Sequence, residues 1–400
     1  MLKVLGVKHT ATLKLQRQLI QKSKNSGREL IEVLKENDLT FDDLVYENSK
    51  TKKWIGGAGP TLSEFAISGV NVPVVSFFSG CGGLDLGFEA AGFTHLAAFE
   101  FNELFCKTLR RNRPNWKIFG PPTHSGDVSK FEDVAGSLTG ILKGEFDGVF
   151  IGGPPCQPFS IAANQRFSRG GENFKRVGFD HSKNGNLLFD YVRLILEFRP
   201  ITFVIENVPG LRDIDGGKQL NIATELLKNS GYVVEAPLDI DAMEFGVPQQ
   251  RKRLFIIGSR TAKKLIALKP YVERFGAGSV LQNMERSAEN FETREHKVES
   301  VERYMKLDYG CRDQMGRVDR LDPELPSKTV IAGGTNGGGR SHLHPEVPRT
   351  LSVRECARLQ TFPDDYVFVG PSARQFTQVG NAVPPVLAAQ VARSIALSYF

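Results

Sequence analysis

The alternation of short apolar strands and helices from Val74 to Ile257 constrains the fold of this chain more than any other feature. The first strand pattern, Val74–Phe78, is followed by a glycine-rich turn and then by a helical pattern from Leu84 to Ala91. Strands that alternate with helices predict a mostly parallel sheet with helices on both faces. Further strand patterns are Leu96–Phe99, Gly148–Ile151, Phe203–Ile205 and Leu254–Ile257, and further helical patterns are Leu187–Phe198 and Lys218–Asn229. Such sheets bind ligands at the carboxyl ends of their strands, so the loops after these strands should carry the chemistry.

Length and composition set broad limits on the function. With 400 residues the chain has room for a large domain and a smaller one, and its formal net charge of +6 favours anionic partners without identifying one. No apolar run is long enough to span a bilayer and the first residues lack a signal-peptide pattern, so we expect a cytoplasmic protein without a membrane partner. The five cysteines form no CxxC pair, which predicts neither disulfides nor a metal site.

The chain divides into three predicted regions. Residues 1–72 form an N-terminal helical extension of unknown role, which we expect to be dispensable, so that deletion of residues 1–65 spares catalysis. Residues 73–259 together with 366–400 form the α/β core. Residues 260–365 form a smaller domain, because the alternation fades there and the segment is irregular and rich in Arg, Lys and Gly.

The N-terminal extension itself has local helix signals. Arg28–Lys35 has apolar residues at helical spacing, and Thr40 followed by Asp43 predicts a capping box at the start of a second short helix. Gly56–Pro60 is typical of a linker. A small helical extension is the simpler interpretation, and a DNA-binding helical pair is the alternative.

The first predicted strand ends in the turn Phe78-Ser79-Gly80-Cys81-Gly82-Gly83. Glycines permit a tight turn and let the backbone approach a ligand at a helix N-terminus. The spacing is not GxGxxG, which argues against a nicotinamide-dependent enzyme. Glu100 ends the next strand, where a carboxylate holds ribose hydroxyls in several cofactor classes, and Asp127 lies where it would accept a hydrogen bond from an adenine amine.

The segment Gly152–Ser160, with the sequence GGPPCQPFS, is the most informative one. It follows a strand, and two prolines fix the backbone immediately before Cys156, as suits a thiol that must be aimed. Glu206 follows another strand, so its carboxylate should point into the same cleft. Arg251 and Arg253 alternate into a strand, which places both guanidinium groups on one face.

These segments together resemble the ordered motif set of the DNA cytosine-C5 methyltransferase family. The resemblance includes the glycine-rich turn, Pro155-Cys156-Gln157, Glu206-Asn207-Val208, Gln249-x-Arg251-x-Arg253 and Gly380–Pro385. The segment Arg354–Pro363 also resembles a family motif. The match extends from about Val74 to Pro385, whereas the first 72 residues match no part of it, and the family varies at 260–345.

The resemblance implies a Rossmann-like methyltransferase core that binds S-adenosyl-L-methionine, with a smaller target-recognition domain. Phe78 and Phe101 would flank the adenine, Glu100 would bind the ribose, and Asp127 would accept from the adenine amine. The residues that it assigns to the cofactor are Phe78, Ser79, Gly80, Gly82, Glu100, Phe101, Asp127, Val128, Leu187 and Asn381.

The resemblance also implies covalent catalysis on a cytosine flipped out of double-stranded DNA. Cys156 would add to carbon 6, Glu206 would contact N3 and the exocyclic amine, and Arg253, with Arg251, would supply positive charge. The predicted substrate contacts are Pro155, Gln157, Ser160, Arg166, Arg169, Asn207 and Gln249. The enzyme would be a monomer and the modification half of a restriction-modification system, with a cognate restriction endonuclease acting on the same site.

Three alternatives stay open on the sequence alone. A tRNA cytosine-C5 methyltransferase shares the motif set, although the Cys-Phe-Thr triplet usual in those relatives is absent. A non-catalytic DNA-binding relative would have no use for Cys156, Glu206 and Arg253. A nicotinamide oxidoreductase leaves the Pro-Pro-Cys-Gln segment unexplained.

Overall fold

The computed structural model describes residues 10–48, 57–142, 144–155, 187–332 and 342–400. The chain forms two compact units. The first, called here the N-terminal unit, comprises Met1–Gly59, Val247–Gln250 and Glu273–Asn381. The second, called the sheet unit, comprises Pro60–Gly246, Arg251–Val272 and Ala382–Phe400. The functional roles that we predicted for residues 1–72, for residues 260–365 and for the α/β core stay predictions.

The sheet unit contains a mixed sheet with helices alternating along the chain. Its described strands are β1 (Pro73–Phe77), β2 (Thr94–Phe99), β3 (Ile118–Phe119), β4 (Val149–Gly152), β5 (Thr202–Asn207), β6 (Val233–Val234), β7 (Leu238–Asp241) and β8 (Lys252–Ser259). Its described helices are α3 (Gly83–Ala90), α4 (Glu103–Asn112), α5 (Phe131–Thr139), α6 (Leu187–Phe198), α7 (Lys218–Asn229) and α12 (Pro385–Tyr399). Short 3₁₀ helices lie at Leu62–Phe65, Pro209–Arg212, Ile214–Gly217 and Ala242–Phe245.

The sheet has the strand order β3-β2-β1-β4-β5-β8-β6, with β7 also paired to β8. The pairs from β3 to β5 are parallel, whereas β8 runs antiparallel to β5, β6 and β7. Phe77, Phe99, Phe150 and Phe203 are fully buried between the strands and the covering helices. The predicted α/β fold with a mostly parallel sheet is confirmed, and β1, β4 and β5 end together at one edge because parallel strands share a direction.

The N-terminal unit combines helices from both ends of the chain. Its described elements are α1 (Thr10–Ser26), α2 (Leu30–Lys35), a 3₁₀ helix at Phe41–Asp43, α8 (Gly278–Leu281), α9 (Val298–Met305), β9 (Arg312–Asp313), β10 (Val318–Arg320), β11 (His342–Leu343), α10 (Val353–Leu359) and α11 (Ser372–Asn381). The three strands form a small sheet in the order β11-β10-β9. Residues far apart in sequence therefore share one unit.

Two local predictions for the N-terminal segment are confirmed, but one of its helices was not predicted. The helix predicted within Arg28–Lys35 is present as α2, and the predicted capping box is present, because Asp43 accepts from the Thr40 backbone at 2.9 Å and the Thr40 side chain caps the 3₁₀ helix. The sequence analysis did not predict α1. Among the described residues, no helix is long and apolar enough to cross a membrane.

Candidate active site

The turn after β1 brings backbone amides to the carboxyl edge of the sheet. Phe78, Gly80 and Gly82 all have positive φ angles of 55°, 58° and 83°, a conformation that glycine adopts without steric cost. The turn is closed by a hydrogen bond of 2.8 Å from the Gly82 amide to the Ser79 carbonyl. The Ser79 hydroxyl donates to the Ser76 hydroxyl at 2.8 Å, so its side chain stabilises the turn.

Glu100 lies beside this turn at the end of β2, and only 4% of it is exposed. One carboxylate oxygen accepts from the Gly80 amide and the other from the Asn102 amide, each at 2.7 Å. Burial raises the pKa of Glu100 to about 7, although these hydrogen bonds oppose the rise. The adjacent Phe101 ring is 64% exposed, which is unusual for a large apolar side chain next to a buried carboxylate.

Two further acidic residues lie close together, Asp127 in the loop before α5 and Asp190 in α6. Asp127 accepts from the Ser129 amide at 3.0 Å and from the Ser129 hydroxyl at 2.7 Å. Burial raises the pKa of Asp190 in α6, and the nearby charge of Asp127 raises it further. Asp190 was missed in the sequence analysis; its place one helical turn after Leu187 is the signal that would have identified it. Val128 and Leu187 are both buried.

At the end of β5, Glu206 forms an ion pair with Arg253 of β8, with 2.7 Å between Oε1 and Nε. Burial raises the pKa of Glu206, and both Arg253 and Arg251 oppose the rise. Burial also lowers the pKa of each arginine, most strongly for Arg251. We predicted that Arg251 and Arg253 share one face and that Glu206 points into the same cleft as Cys156. In the structure both arginines lie close enough to Glu206 to oppose the rise in its pKa, and the roles predicted for the three residues stay predictions.

The loop that follows β4 is tied to the same strand end. The Asn207 side-chain amide donates to the Pro154 carbonyl at 3.0 Å, and its oxygen accepts from the Val208 amide at 2.8 Å. A Cβ atom on Gly153 would lie 2.7 Å from the Glu206 carboxylate, so a larger residue would displace this side chain. Asn207 therefore holds the loop immediately before the exposed Pro155.

Several predicted site residues fall outside the described residues: Cys156, Gln157, Ser160, Arg166 and Arg169. Among the described thiols, burial raises the pKa of Cys106 to about 12 and raises those of Cys81 and Cys356 further. A buried thiol that resists ionisation is a poor nucleophile. These three cysteines are therefore unsuited to thiolate chemistry.

Two predicted site residues belong to the N-terminal unit. Gln249 is fully buried, donates to the Leu359 carbonyl and the Gln360 side chain, and accepts from the Val330 amide. Its side chain therefore joins segments within that unit. Asn381 is the exposed last residue of α11. Their predicted contacts with substrate and cofactor stay predictions.

With this geometry described, comparison with known proteins places the chain. A family model described as C-5 cytosine-specific DNA methylase matches residues 72–397. The chain belongs to this family. The methylase is therefore an enzyme that transfers a methyl group to carbon 5 of cytosine in DNA, and its methyl donor is S-adenosyl-L-methionine. This outcome supports the DNA enzyme over the alternatives left open by the sequence.

Relatives of the methylase are similar over most of their lengths. It is 33% identical to the Type II methyltransferase M.PspPI of Psychrobacter sp. (strain TA137), over 80% of this chain and 78% of the relative. It is 30% identical to the Type II methyltransferase M.Eco47II of Escherichia coli, over 83% and 80% of the two chains. A crystal structure of a candidate DNA modification methyltransferase from an E. coli prophage superposes with a TM-score of 0.66 and 25% identity, covering 81% of this chain and 98% of that one.

The residues around the first turn fit the chemistry of S-adenosylmethionine. The carboxylate of Glu100 accepts from the Gly80 and Asn102 amides, and a carboxylate has about four lone-pair sites, which leaves acceptor capacity for a ribose hydroxyl. The exposed ring of Phe101 offers an apolar face for a planar base. No group of three or more His, Cys, Asp or Glu side chains within the described ranges is arranged to hold a metal ion.

Proposed function

We propose that the methylase acts through Cys156 as the nucleophile, with Glu206 and Arg253 binding the target cytosine. The observation that carries this proposal is the buried Glu206–Arg253 pair at the end of β5, joined by Asn207 to the backbone two residues before Cys156. A carboxyl and a guanidinium present an acceptor and donors to the ring edge of cytosine. The raised thiol pKa values at Cys81, Cys106 and Cys356 favour Cys156 over these cysteines.

Carbon 5 of cytosine is too weak a nucleophile for direct methylation. The Cys156 thiolate forms a bond to carbon 6, and the electron pair of the 5,6 double bond becomes available at carbon 5 as N3 takes a proton. When bound, S-adenosylmethionine would supply the methyl group that carbon 5 takes up, with the electron pair of the sulfur–methyl bond staying on sulfur. A base then removes the hydrogen on carbon 5, the 5,6 double bond re-forms as Cys156 leaves with its bonding pair, and N3 returns its proton.

Glu206 is suited to serve N3 as a proton donor. Burial holds its pKa above the ordinary carboxyl value, which brings the proton affinity closer to that of the reacting ring. Arg253 keeps the carboxyl oriented through its 2.7 Å contact, and its positive charge would favour the thiolate form of Cys156. Arg251 is buried, and its positive charge also acts on Glu206.

The cofactor would be held by residues of the sheet unit, with Asn381 as a further contact. The turn at Ser79, Gly80 and Gly82 would bring backbone amides near the cofactor, Glu100 would accept from the ribose, and Asp127 from the adenine amine. Phe78 and Phe101 would flank the adenine, and Val128 and Leu187 would line the site.

The proposed substrate is double-stranded DNA, and residues 260–365 are proposed to recognise its sequence. Pro155, Gln157, Ser160, Arg166, Arg169, Asn207 and Gln249 are the proposed substrate contacts. Because the relatives are named Type II methyltransferases, we propose that a restriction endonuclease of the same specificity accompanies this enzyme. We further propose that it acts as a monomer in the cytoplasm.

The test is bisulfite sequencing of genomic DNA from a methylation-free bacterium that expresses this chain, beside a Cys156→Ser variant. We expect protected cytosines in one short recurring context, and complete conversion with the variant. Both proteins should bind S-adenosylmethionine equally, which shows that the loss is chemical. Protected cytosines in the variant would contradict the role of Cys156.

A further inference from the structure

Residues 10–48 lie outside the matched family range of 72–397, yet they share a hydrophobic core with later residues. Leu19, Ile20 and Leu34 of the first two helices pack in one cluster with Val301 and Met305 of α9. Deletion of residues 1–65 would expose this face of α9 to water. We therefore replace the expectation that the deletion spares catalysis with the expectation that it destabilises the N-terminal unit.

A buried arginine ties the N-terminal segment to α10. Arg349 is 2% exposed, and its Nε contacts the Asp42 carboxylate at 2.5 Å. Its two terminal nitrogens donate to the two oxygens of Glu355 at 2.9 and 2.8 Å. Glu355 also caps α10 by accepting from the Ser352 amide at 2.6 Å. Asp42 is thus connected through one side chain to the start of α10.

A second connection involves Tyr46. Its hydroxyl donates to the His344 carbonyl at 2.8 Å, and the guanidinium of Arg320 lies 3.5 Å from the centre of its ring. Arg320 ends β10 and donates to the Pro345 carbonyl at 3.0 and 2.8 Å. The N-terminal segment therefore contacts Arg320 of the small sheet as well as α9 and Arg349.

Helix α9 in turn holds the hairpin formed by β9 and β10. Arg303 of α9 donates to Asp313 at 3.1 Å, and Asp313 accepts from the Gly316 amide at 2.6 Å, which closes the hairpin turn. The turn presents Met315, which is 77% exposed, and the exposed side chain of Arg317. A two-stranded ribbon of this kind fits the major groove of DNA.

Three of the four cations of α1 are paired with carboxylates, which argues against a direct DNA contact through them. Arg17 pairs with Glu47 at 3.2 Å, Lys22 pairs with Glu36 at 2.8 Å, and Lys24 pairs with Glu302 at 3.0 Å. Each of these charges is already matched by a carboxylate within the same unit. The N-terminal segment is thus better suited to hold other elements than to bind phosphates.

We propose that residues 10–48 are a positioning segment of the target-recognition region, holding α9, α10 and the β9–β10 hairpin in the arrangement that binds DNA. This inference rests on the proposed recognition role of residues 260–365. It predicts that loosening the segment weakens DNA binding and leaves the methyl-transfer step unchanged. Asp42 is the residue that tests it, because its truncation removes one of the contacts that hold the segment while the Arg349–Glu355 pair stays in place.

The experiment compares Asp42→Ala with Glu36→Ala in the full-length enzyme. Both variants remove one carboxylate from the N-terminal segment, but Glu36 pairs only with Arg28 and Lys22 of that segment in the described structure. We expect Asp42→Ala to raise KM for DNA about tenfold with kcat within about twofold of wild type, as for a lost binding contribution. Glu36→Ala should match wild type in both constants.

Far-UV circular dichroism at the assay temperature establishes that each variant is folded. Asp42→Asn keeps an acceptor oxygen for Arg349, so its KM for DNA should rise less than that of Asp42→Ala. This variant also tests the inference if Asp42→Ala fails to fold. Equal KM values for the Asp42 and Glu36 variants, or a fall in kcat at unchanged KM, would overturn the inference. A wild-type enzyme that methylates no DNA would instead refute the proposed function.

Discussion

Each unit of the methylase contains a buried arginine–glutamate pair, and the two pairs differ in the sign of the carboxyl pKa shift. In the sheet unit, burial raises the pKa of Glu206 despite its contact with Arg253. In the N-terminal unit, burial also raises the pKa of Glu355, but Arg349 and the surrounding hydrogen bonds bring it down to about 2.

The number of hydrogen bonds explains this difference. Glu355 receives both terminal nitrogens of Arg349 and the Ser352 amide, whereas Glu206 has one close contact with Arg253 Nε. A fully hydrogen-bonded pair stabilises its charges, and a partly satisfied one leaves groups that can exchange protons or bind a ligand. A carboxyl pKa that burial raises in spite of a nearby arginine, as at Glu206, is typical of active sites.

The largest expected effect follows from Glu206→Gln, which keeps the shape of the side chain but removes its proton chemistry. We expect kcat to fall by roughly 10²–10⁴-fold, the usual contribution of a positioned acid or base. A carboxyl whose folded pKa is raised contributes stability that is fully present below its unfolded pKa and is lost as pH rises through its folded pKa. Because Gln keeps an oxygen that accepts from Arg253, the substitution should cost less stability at neutral pH than removal of the whole side chain. Single-turnover kinetics and thermal unfolding measure both quantities. A wild-type rate would remove Glu206 from the mechanism.

The next effect concerns stability. Arg349→Met leaves Glu355 buried without its partner, so we expect the free energy of unfolding to fall by about 3–5 kcal/mol. Chemical denaturation measures the loss. Arg17→Met is the matched control, because Arg17 is 59% exposed and its pair with Glu47 is screened by water. Similar losses in the two variants would show that the buried pair is not the stabilising feature.

The smallest effect tests Glu100 through pH. Its pKa of about 7 means that the carboxyl becomes protonated as pH falls below 7, and the neutral form accepts ribose hydroxyls less well. We expect the Kd for S-adenosylmethionine to rise by up to about tenfold from pH 7 to pH 6. Calorimetric titration of wild type and Glu100→Gln separates this effect from protonation of the cofactor. The same pH dependence in both proteins would contradict it.

The sequence analysis predicted the sheet, the boundaries of α6 and α7, and the positions of Glu100 and Glu206 at strand ends. These succeed because strand and helix periodicity and glycine-rich turns are local properties of the chain. Helix α1 was missed, and its Leu19 and Ile20 pack in one cluster with residues of α2 and α9. Asp190 was also missed, because the rise in its pKa depends on burial and on the charge of Asp127. Such effects require neighbours distant in sequence.

The sequence by itself determined the α/β class, the family and the chemistry, because these depend on residue types at fixed local spacing. Only the tertiary structure decided that residues 10–48 pack with α9 and contact Arg349, and that the carboxyl pKa is raised in one arginine–glutamate pair and lowered in the other. The reason is physical: burial and hydrogen bonding around a charge come from segments that meet in space, such as Asp42, Arg349 and Glu355.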